Sequence, residues 1–239
     1  MTTETKPLVV ITGAAGGLGQ GLVESFHAAG WDIAAAWHKT PLPETSKHTL
    51  AVQIDATVAL TVKDAFEKVF KRFGRLDCVV HAAGCAQDDL LLKMEEAAWD
   101  EVLDTNLKSS FLICREAVSR TARTGGTHLI LIGSFAGRAG SAGQANYAAA
   151  KAGLSGLATS IAKEYGRRNM RVNVVLPGVV VTAMTQNLAP EVLQGYAQAN
   201  ALQRINDVGE VAHFITHLAG MRNVSGQVFQ LDSRVGRWG

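Results

Sequence analysis

The 239-residue sequence predicts an α/β domain on a doubly wound parallel sheet, seven strands with helices on both faces. Three observations predict it. Short β-branched runs alternate with longer helical stretches from end to end, and several runs are continuously apolar, as in Val79-Val80 and Leu129-Ile130-Leu131-Ile132. The first run leads through a glycine-rich turn directly into a helix. Continuously apolar strands are buried on both faces, the condition inside a parallel sheet. Composition agrees, since 47% hydrophobic and 18% charged residues, with 24 glycines and only 5 prolines, suit a chain that buries a sizeable core.

Taken in order, Leu8–Thr12 is the first strand and Leu18–Ala29 the first helix, closed by Gly30 where a left-handed cap favours glycine. The second strand is Asp32–Trp37. Its link to the third, Leu50–Ile54, holds Pro41 and Pro43 and is too short and proline-broken for a crossover helix, so Thr40–Pro43 is expected to run as a loop. A helix over Val58–Phe73 ends at Gly74 and feeds the strand Cys78–His81. One long helix is expected over Ala97–Thr121, then the strand Thr127–Ile132, the helix Ala145–Tyr165 and the strand Arg171–Leu176. Helices at Pro190–Asn200 and Asp207–Ala219 precede a last strand at Gln227–Gln230. Neither a repeat nor a Pro/Ser-rich linker divides the sequence, so residues 1–239 are expected to form one domain.

Charge and cysteine usage exclude several function classes. The 23 Lys+Arg are scattered against 21 Asp+Glu, a net +2 with no basic patch for nucleic acid. Cys78, Cys85 and Cys114 are odd in number and lack metal-ligand spacing, which reads as reduced thiols and no metal site. The first seven residues carry one acid and one base ahead of a short apolar run, unlike a secretory signal, and no apolar run approaches the ~20 residues of a membrane span. A soluble, cytoplasmic protein is expected.

Chemistry concentrates at a few positions. Thr12-Gly13-Ala14-Ala15-Gly16-Gly17-Leu18-Gly19 joins the first strand to the first helix, where glycines let the backbone approach a diphosphate and unpaired N–H groups meet its charge. A flexible turn needs glycine too, so the motif alone is not decisive. Tyr147 and Lys151 lie one helical turn apart, a pair in which an ammonium would favour phenolate, although an exposed helix face carries such pairs as well. Ser134 follows an apolar strand at the edge where doubly wound sheets place ligands; alone it reads as a turn serine.

Together with His81-Ala82-Ala83-Gly84, Asn106 and Pro177-Gly178, these motifs fall in an order that resembles the short-chain dehydrogenase/reductase family over nearly the whole chain. Gln87–Leu92, Trp99–Phe111 and Gly143–Gly153 look like the 3-oxoacyl-[acyl-carrier-protein] reductases within it. Two departures stand out: the usual Asn-Asn-Ala-Gly reads His81-Ala82-Ala83-Gly84, and the usual Val-Asp-Gly-Gly reads Leu231-Asp232-Ser233-Arg234.

The resemblance implies a single Rossmann-type domain, a homotetramer and a catalytic set of Asn106, Ser134, Tyr147 and Lys151. In it Tyr147 is general acid, Ser134 polarises the carbonyl, Lys151 binds the nicotinamide ribose and lowers the Tyr147 pKa, and Asn106 holds a water. Gly13, Ala15, Gly17, Leu18 and Gly19 would bind the diphosphate, Asp55 the adenine, and Ala83, Gly84, Pro177, Gly178 and Thr182 the nicotinamide end, together with Tyr147 and Lys151. NAD-preferring members have an acid where this chain has Trp37, followed by His38 and Lys39, so NADP(H) is the expected cofactor. The expected substrate is a 3-oxoacyl thioester on acyl carrier protein or CoA. Another small ketone, or a dinucleotide-binding protein without catalysis, remains as the alternative. Arg120, Arg123, Arg167 and Arg168 are candidates for contacting an acidic carrier protein, and as readily serve helix ends. Thr182–Leu202, with Met184, Leu188, Leu193 and Tyr196, is expected to cover the substrate. Asp88-Asp89 has no assigned role, and apolar residues beyond one stripe on the helices at 97–121 and 145–165 suggest a partner subunit.

Overall fold

The structure is a computed structural model that describes residues 6–42, 47–182, 185–186 and 188–235. Its elements are β1 (Leu8–Thr12), α1 (Gly17–Ala28), β2 (Asp32–Trp37), β3 (Thr49–Gln53), α2 (Ala59–Phe73), β4 (Cys78–His81), α3 (Glu96–Leu103), α4 (Ser109–Thr121), β5 (His128–Ile132), α5 (Ala136–Ala139), α6 (Ala145–Tyr165), β6 (Arg171–Leu176), α7 (Pro190–Gln198), α8 (Val208–Gly220) and β7 (Val228–Gln230). All seven strands pair in parallel in the order β3-β2-β1-β4-β5-β6-β7. The doubly wound sheet expected from the apolar runs is therefore present. β1 and β4 pair with Thr12 opposite His81, and here the strand order reverses, which opens a crevice beyond the carboxyl ends of the strands.

Alternate residues of each strand go to opposite layers, which is why the strands read as unbroken apolar runs. Leu8 and Val10 join a core beneath α2, α4 and α6, whereas Val9 and Ile11 join one beneath α1 and α8. Helix α6 buries Ala150, Leu154, Ala158 and Ile161 as a stripe at helical spacing, with Lys151 buried at its side. Gly30 and Gly74 both take positive φ, as expected of left-handed caps.

The single helix expected over Ala97–Thr121 is instead two helices joined by a π-helical turn at Asp104–Lys108. The backbone N–H of Ser109 donates to Asp104, one residue farther back than in an α-helix. Side chains take up the carbonyls that this widening leaves: Asn106 Nδ2 donates to Val102 O at 2.9 Å, Ser109 Oγ to Thr105 O at 2.6 Å and Ser110 Oγ to Asn106 O at 2.8 Å. Elsewhere the boundaries shift by one or two residues, and the short α5 and a 3-10 turn at Gly166–Arg168 add to the expected set. The stretch 38–42 holds no helix, in line with the proline argument; Pro43 and Met184 lie outside the described residues. No helix among the described residues is long and apolar enough to cross a membrane.

Candidate active site

A cleft of about 1100 Å³ lies along the carboxyl edge of the sheet. It brings together Asn106, Ser134, Tyr147 and Lys151, the turn residues Gly13, Ala15, Gly16, Gly17, Leu18 and Gly19, then His38, Lys39 and Asp55, and Ala83, Gly84, Pro177, Gly178 and Thr182.

At one end, β1 turns into α1. Gly13 has φ +69°, and a Cβ there would lie 2.8 Å from the Ala83 nitrogen; a Cβ on Gly19 would lie only 2.1 Å from the Gly13 oxygen. Only glycine permits this crossing of backbone over backbone. Helix α1 begins at Gly17 with Gly16 as its cap, no side-chain cap bond and no acid in its first turn. Its first N–H groups and the positive end of its dipole therefore face the cleft uncompensated, which fits a diphosphate. Next to it, the β2 end presents Trp37, His38 and Lys39 and no carboxylate. Asp55 Oδ1 accepts from Thr57 N at 3.0 Å and Thr57 Oγ1 at 2.6 Å, closing the turn before α2, while Oδ2 lies 3.5 Å from His38 Nε2. These bonds to Thr57, helped by His38 and Lys39, hold the Asp55 carboxyl below its ordinary pKa. Thr182 stands over the glycine turn, where a Cβ on Gly17 would meet its side chain at 3.0 Å.

At the other end, Ser134 stands close enough to Tyr147 for its hydroxyl to favour the phenolate, and its Oγ accepts from the Ala136 N–H at 3.2 Å. Tyr147 is aimed by Asn146, a fully buried residue whose Oδ1 accepts the Tyr147 N–H at 2.7 Å and whose Nδ2 donates to Gln87 O at 3.0 Å. Lys151 lies with Nζ 5.5 Å from the Tyr147 ring centroid and donates to Ile132 O at 2.8 Å. Burial brings its pKa down to about 8. Burial likewise raises the Tyr147 phenol above its ordinary value, with the nearby Ser134 hydroxyl pulling the other way. The pair alone suggested a lowered phenol. In the folded chain Lys151 is itself desolvated and bonded to β5, and burial outweighs it. Asp88, without an assigned role in the sequence, adds to the rise and accepts from Gln144 Nε2 at 2.9 Å.

Asn106 is fully buried, where its sequence position alone suggested at most an exposed helix residue. Its Nδ2 donates to Cys85 O at 2.8 Å, and its Oδ1 has no partner among the described residues. A Cβ on Gly84 would lie 2.7 Å from that oxygen and 3.5 Å from Lys151 Nζ, so an open acceptor sits beside the lysine.

The sequence missed the support behind these groups. His81 Nε2 lies 2.9 Å from Ser109 Oγ and Nδ1 2.7 Å from Thr12 Oγ1. Ser109 spends its own proton on Thr105 O, so His81 must donate from Nε2 and accept at Nδ1 from Thr12. This neutral imidazole, its pKa pushed down to about 3 by burial, ties β1 and β4 to the π-turn that carries Asn106. Phe135 and Arg234 also line the cleft; nothing in their sequence spacing marks them. Leu188 and Tyr196 of the expected cover reach the cleft, whereas Leu193 does not line it. Arg120, Arg123, Arg167 and Arg168 lie at or just past the carboxyl ends of α4 and α6, at the edge where β5 and β6 begin, opposite the cleft. Helices run antiparallel to the strands they precede, so charge at their last turns cannot line this rim; Arg120 instead pairs with Glu116 at 2.6 Å.

Comparison with known proteins agrees with this geometry. Residues 13–233 match a family described as Enoyl-(Acyl carrier protein) reductase. The chain is 32% identical to the 3-oxoacyl-[acyl-carrier-protein] reductase of Escherichia coli (strain K12) over 217 residues, 89% of each chain. It is 32% identical to that of Chlamydia muridarum over 234 residues, covering 93% of this chain and 94% of the relative. With the Staphylococcus aureus (strain Mu50) reductase of the same name it shares 31% over 234 residues, 93% and 95% of the two chains. Sheet order, glycine turn and sequence agree: the chain belongs to the short-chain dehydrogenase/reductase family, oxidoreductases that take a nicotinamide dinucleotide.

Proposed function

We propose that the chain reduces a 3-oxoacyl thioester, on acyl carrier protein or CoA, to the 3-hydroxyacyl thioester with NADPH. The supporting observation is that Ser134 and Tyr147 stand beside buried Lys151, in one cleft with the uncapped start of α1. The substrate class comes from the relatives, whose names state that reaction. When bound, the nicotinamide supplies the hydride that reduces the carbonyl carbon. Ser134 donates to the carbonyl oxygen and Tyr147 gives it the phenolic proton, donors fixed in place before charge develops. Lys151, with a pKa near 8, stays largely protonated at neutral pH, binds the ribose and favours proton return to Tyr147. Asn106, with its open Oδ1 beside that lysine, holds a water that links it to solvent.

Gly13, Ala15, Gly17, Leu18 and Gly19 hold the diphosphate, and Ala83, Gly84, Pro177, Gly178 and Thr182 enclose the nicotinamide end. His38 and Lys39 receive the 2′-phosphate, because Trp37 leaves the β2 end without the acid that would repel it. We further read residues 1–239 as one domain that acts as a homotetramer in the cytoplasm. The thiols Cys78, Cys85 and Cys114 are free, which suits a reducing compartment.

The test is loss of NADPH absorbance on adding acetoacetyl thioesters of acyl carrier protein and of CoA. Turnover is expected with NADPH above NADH, and a crotonyl thioester should stay unreduced. Tyr147→Phe should lower kcat by about 10²–10⁴-fold, the worth of a positioned acid, while NADPH still binds. If NADPH binds and a panel of simple ketones turns over but neither thioester does, the substrate assignment is wrong.

A further inference from the structure

The C-terminal segment departs from the family pattern at Leu231-Asp232-Ser233-Arg234, and the structure gives that departure a place. After β7 the chain passes over the Pro177-Gly178 turn, where a Cβ on Gly178 would lie 2.8 Å from Asp232 Cβ. Asn206 Nδ2 clamps the two segments, donating to Pro177 O at 2.7 Å and Leu231 O at 3.1 Å. The Asp232 side chain is only 3% exposed, and its Oδ1 accepts from Gln230 Nε2 at 2.6 Å. Its Oδ2 takes Arg234 Nε at 2.6 Å and pairs with Arg234 Nη2. The same guanidinium lies 3.9 Å from the centroid of Phe135, the residue after Ser134. Arg234 is therefore fixed by its carboxylate and its stacking, between the Ser134 loop and the Pro-Gly turn, and lines the cleft that holds Ser134 and Tyr147.

Asp232 cancels the local charge of Arg234 but not its donors, since Arg234 Nη1 has no hydrogen-bond partner among the described residues. A planar donor in a neutralised pair suits an uncharged acceptor better than a free anion. We propose that Arg234 orients the substrate by donating to the second carbonyl oxygen of a 1,3-dicarbonyl compound, the thioester oxygen two carbons from the ketone. The proposal rests on the 3-oxoacyl reading above. Ser134 and Tyr147 fix the ketone oxygen, Arg234 fixes the thioester oxygen, and the two points select one orientation toward the hydride. A ketone without the second carbonyl offers that donor no acceptor, loses the second fixing point and is discriminated against.

The experiment compares kcat/KM for acetoacetyl-CoA, free acetoacetate and 2-butanone in the wild type, Arg234→Met and Arg234→Lys, with NADPH saturating. Wild type should prefer the thioester. Arg234→Met should cut the thioester-to-butanone ratio of kcat/KM by roughly 10- to 100-fold, the range for a hydrogen bond involving a charged group. Arg234→Lys, which keeps a cation beside Asp232 but not the planar fork, should fall between. A misfolded fraction lowers every substrate equally and leaves the ratio unmoved, so the ratio reads the interaction rather than stability. An unchanged ratio in Arg234→Met overturns the proposal, as does a wild-type preference for anionic acetoacetate. If no thioester is turned over while butanone is, the 3-oxoacyl reading fails first and this role falls with it.

Discussion

A neutral imidazole in the middle of a sheet makes a prediction about acid. His81 is held down to about 3 by burial, and His128, bonded to Asn173 at 2.8 Å, down to about 4. Both folded values lie below the ordinary 6.5. Between folded and unfolded values the unfolded chain binds more protons, so stability is fully present above about pH 6.5 and is lost as pH falls toward 4 and then 3. For His81 the effect amounts to a few kcal/mol, because each tenfold difference in proton affinity between folded and unfolded chain is worth about 1.4 kcal/mol. His81→Asn, which restores the residue usual in the resembled family, should flatten the fall of Tm between pH 6.5 and 4 while His128 keeps its share. An equally steep profile in the variant would mean that His81 does not set the acid limit. At this scale Tyr147, Lys151 and Ser134 could be singled out only because the surrounding motifs resembled a family, since spacing alone left them a helix-face pair and a turn serine; the fold brings all three into one cleft. The His81–Ser109 and Asp232–Arg234 contacts were not, because they join residues distant in sequence or in an unfamiliar motif.

Among the elements, α1 and α8 pack so closely that a side chain on Gly21 has nowhere to go. A Cβ there would lie 2.6 Å from Val208 Cγ1, the first residue of α8. Gly21→Ala should therefore destabilise the fold by about 1–3 kcal/mol despite the better helix propensity of alanine. Adding Val208→Ala should return part of that loss, so the two changes should couple by more than about 0.5 kcal/mol in urea unfolding. Additive losses would place the strain elsewhere. Periodicity makes the existence of helices and strands readable, but it cannot see this packing. Nor could it see the π-turn at Asp104–Lys108, because one extra residue in a helical turn leaves the apolar pattern on either side intact. That small irregularity is what delivers Asn106 to the cleft rather than to solvent.

For the whole molecule, the sheet order decides which surfaces do what. The residues proposed to hold cofactor and substrate gather at the carboxyl edge of the strands, whereas the arginines at 120, 123, 167 and 168 gather at the other, a separation that follows from helices running antiparallel to the strands they precede. Five large apolar side chains of residues 90–111 are left exposed among charged neighbours: Leu90, Leu91, Leu92, Trp99 and Phe111 are 59, 70, 100, 38 and 44% exposed. Large apolar side chains left to water within one stretch of chain mark a surface that another protein covers. A second copy of this chain fits the proposed tetramer, so light scattering at micromolar concentration should give a mass near four chains. Phe111→Glu combined with Leu92→Glu should reduce it, because a charge inside an apolar contact costs several kcal/mol when unpaired. The residues lie outside the cleft, so any activity lost should track the loss of assembly. Wild-type protein running as a monomer at tens of micromolar would sink the tetramer and leave that apolar stretch for a different partner.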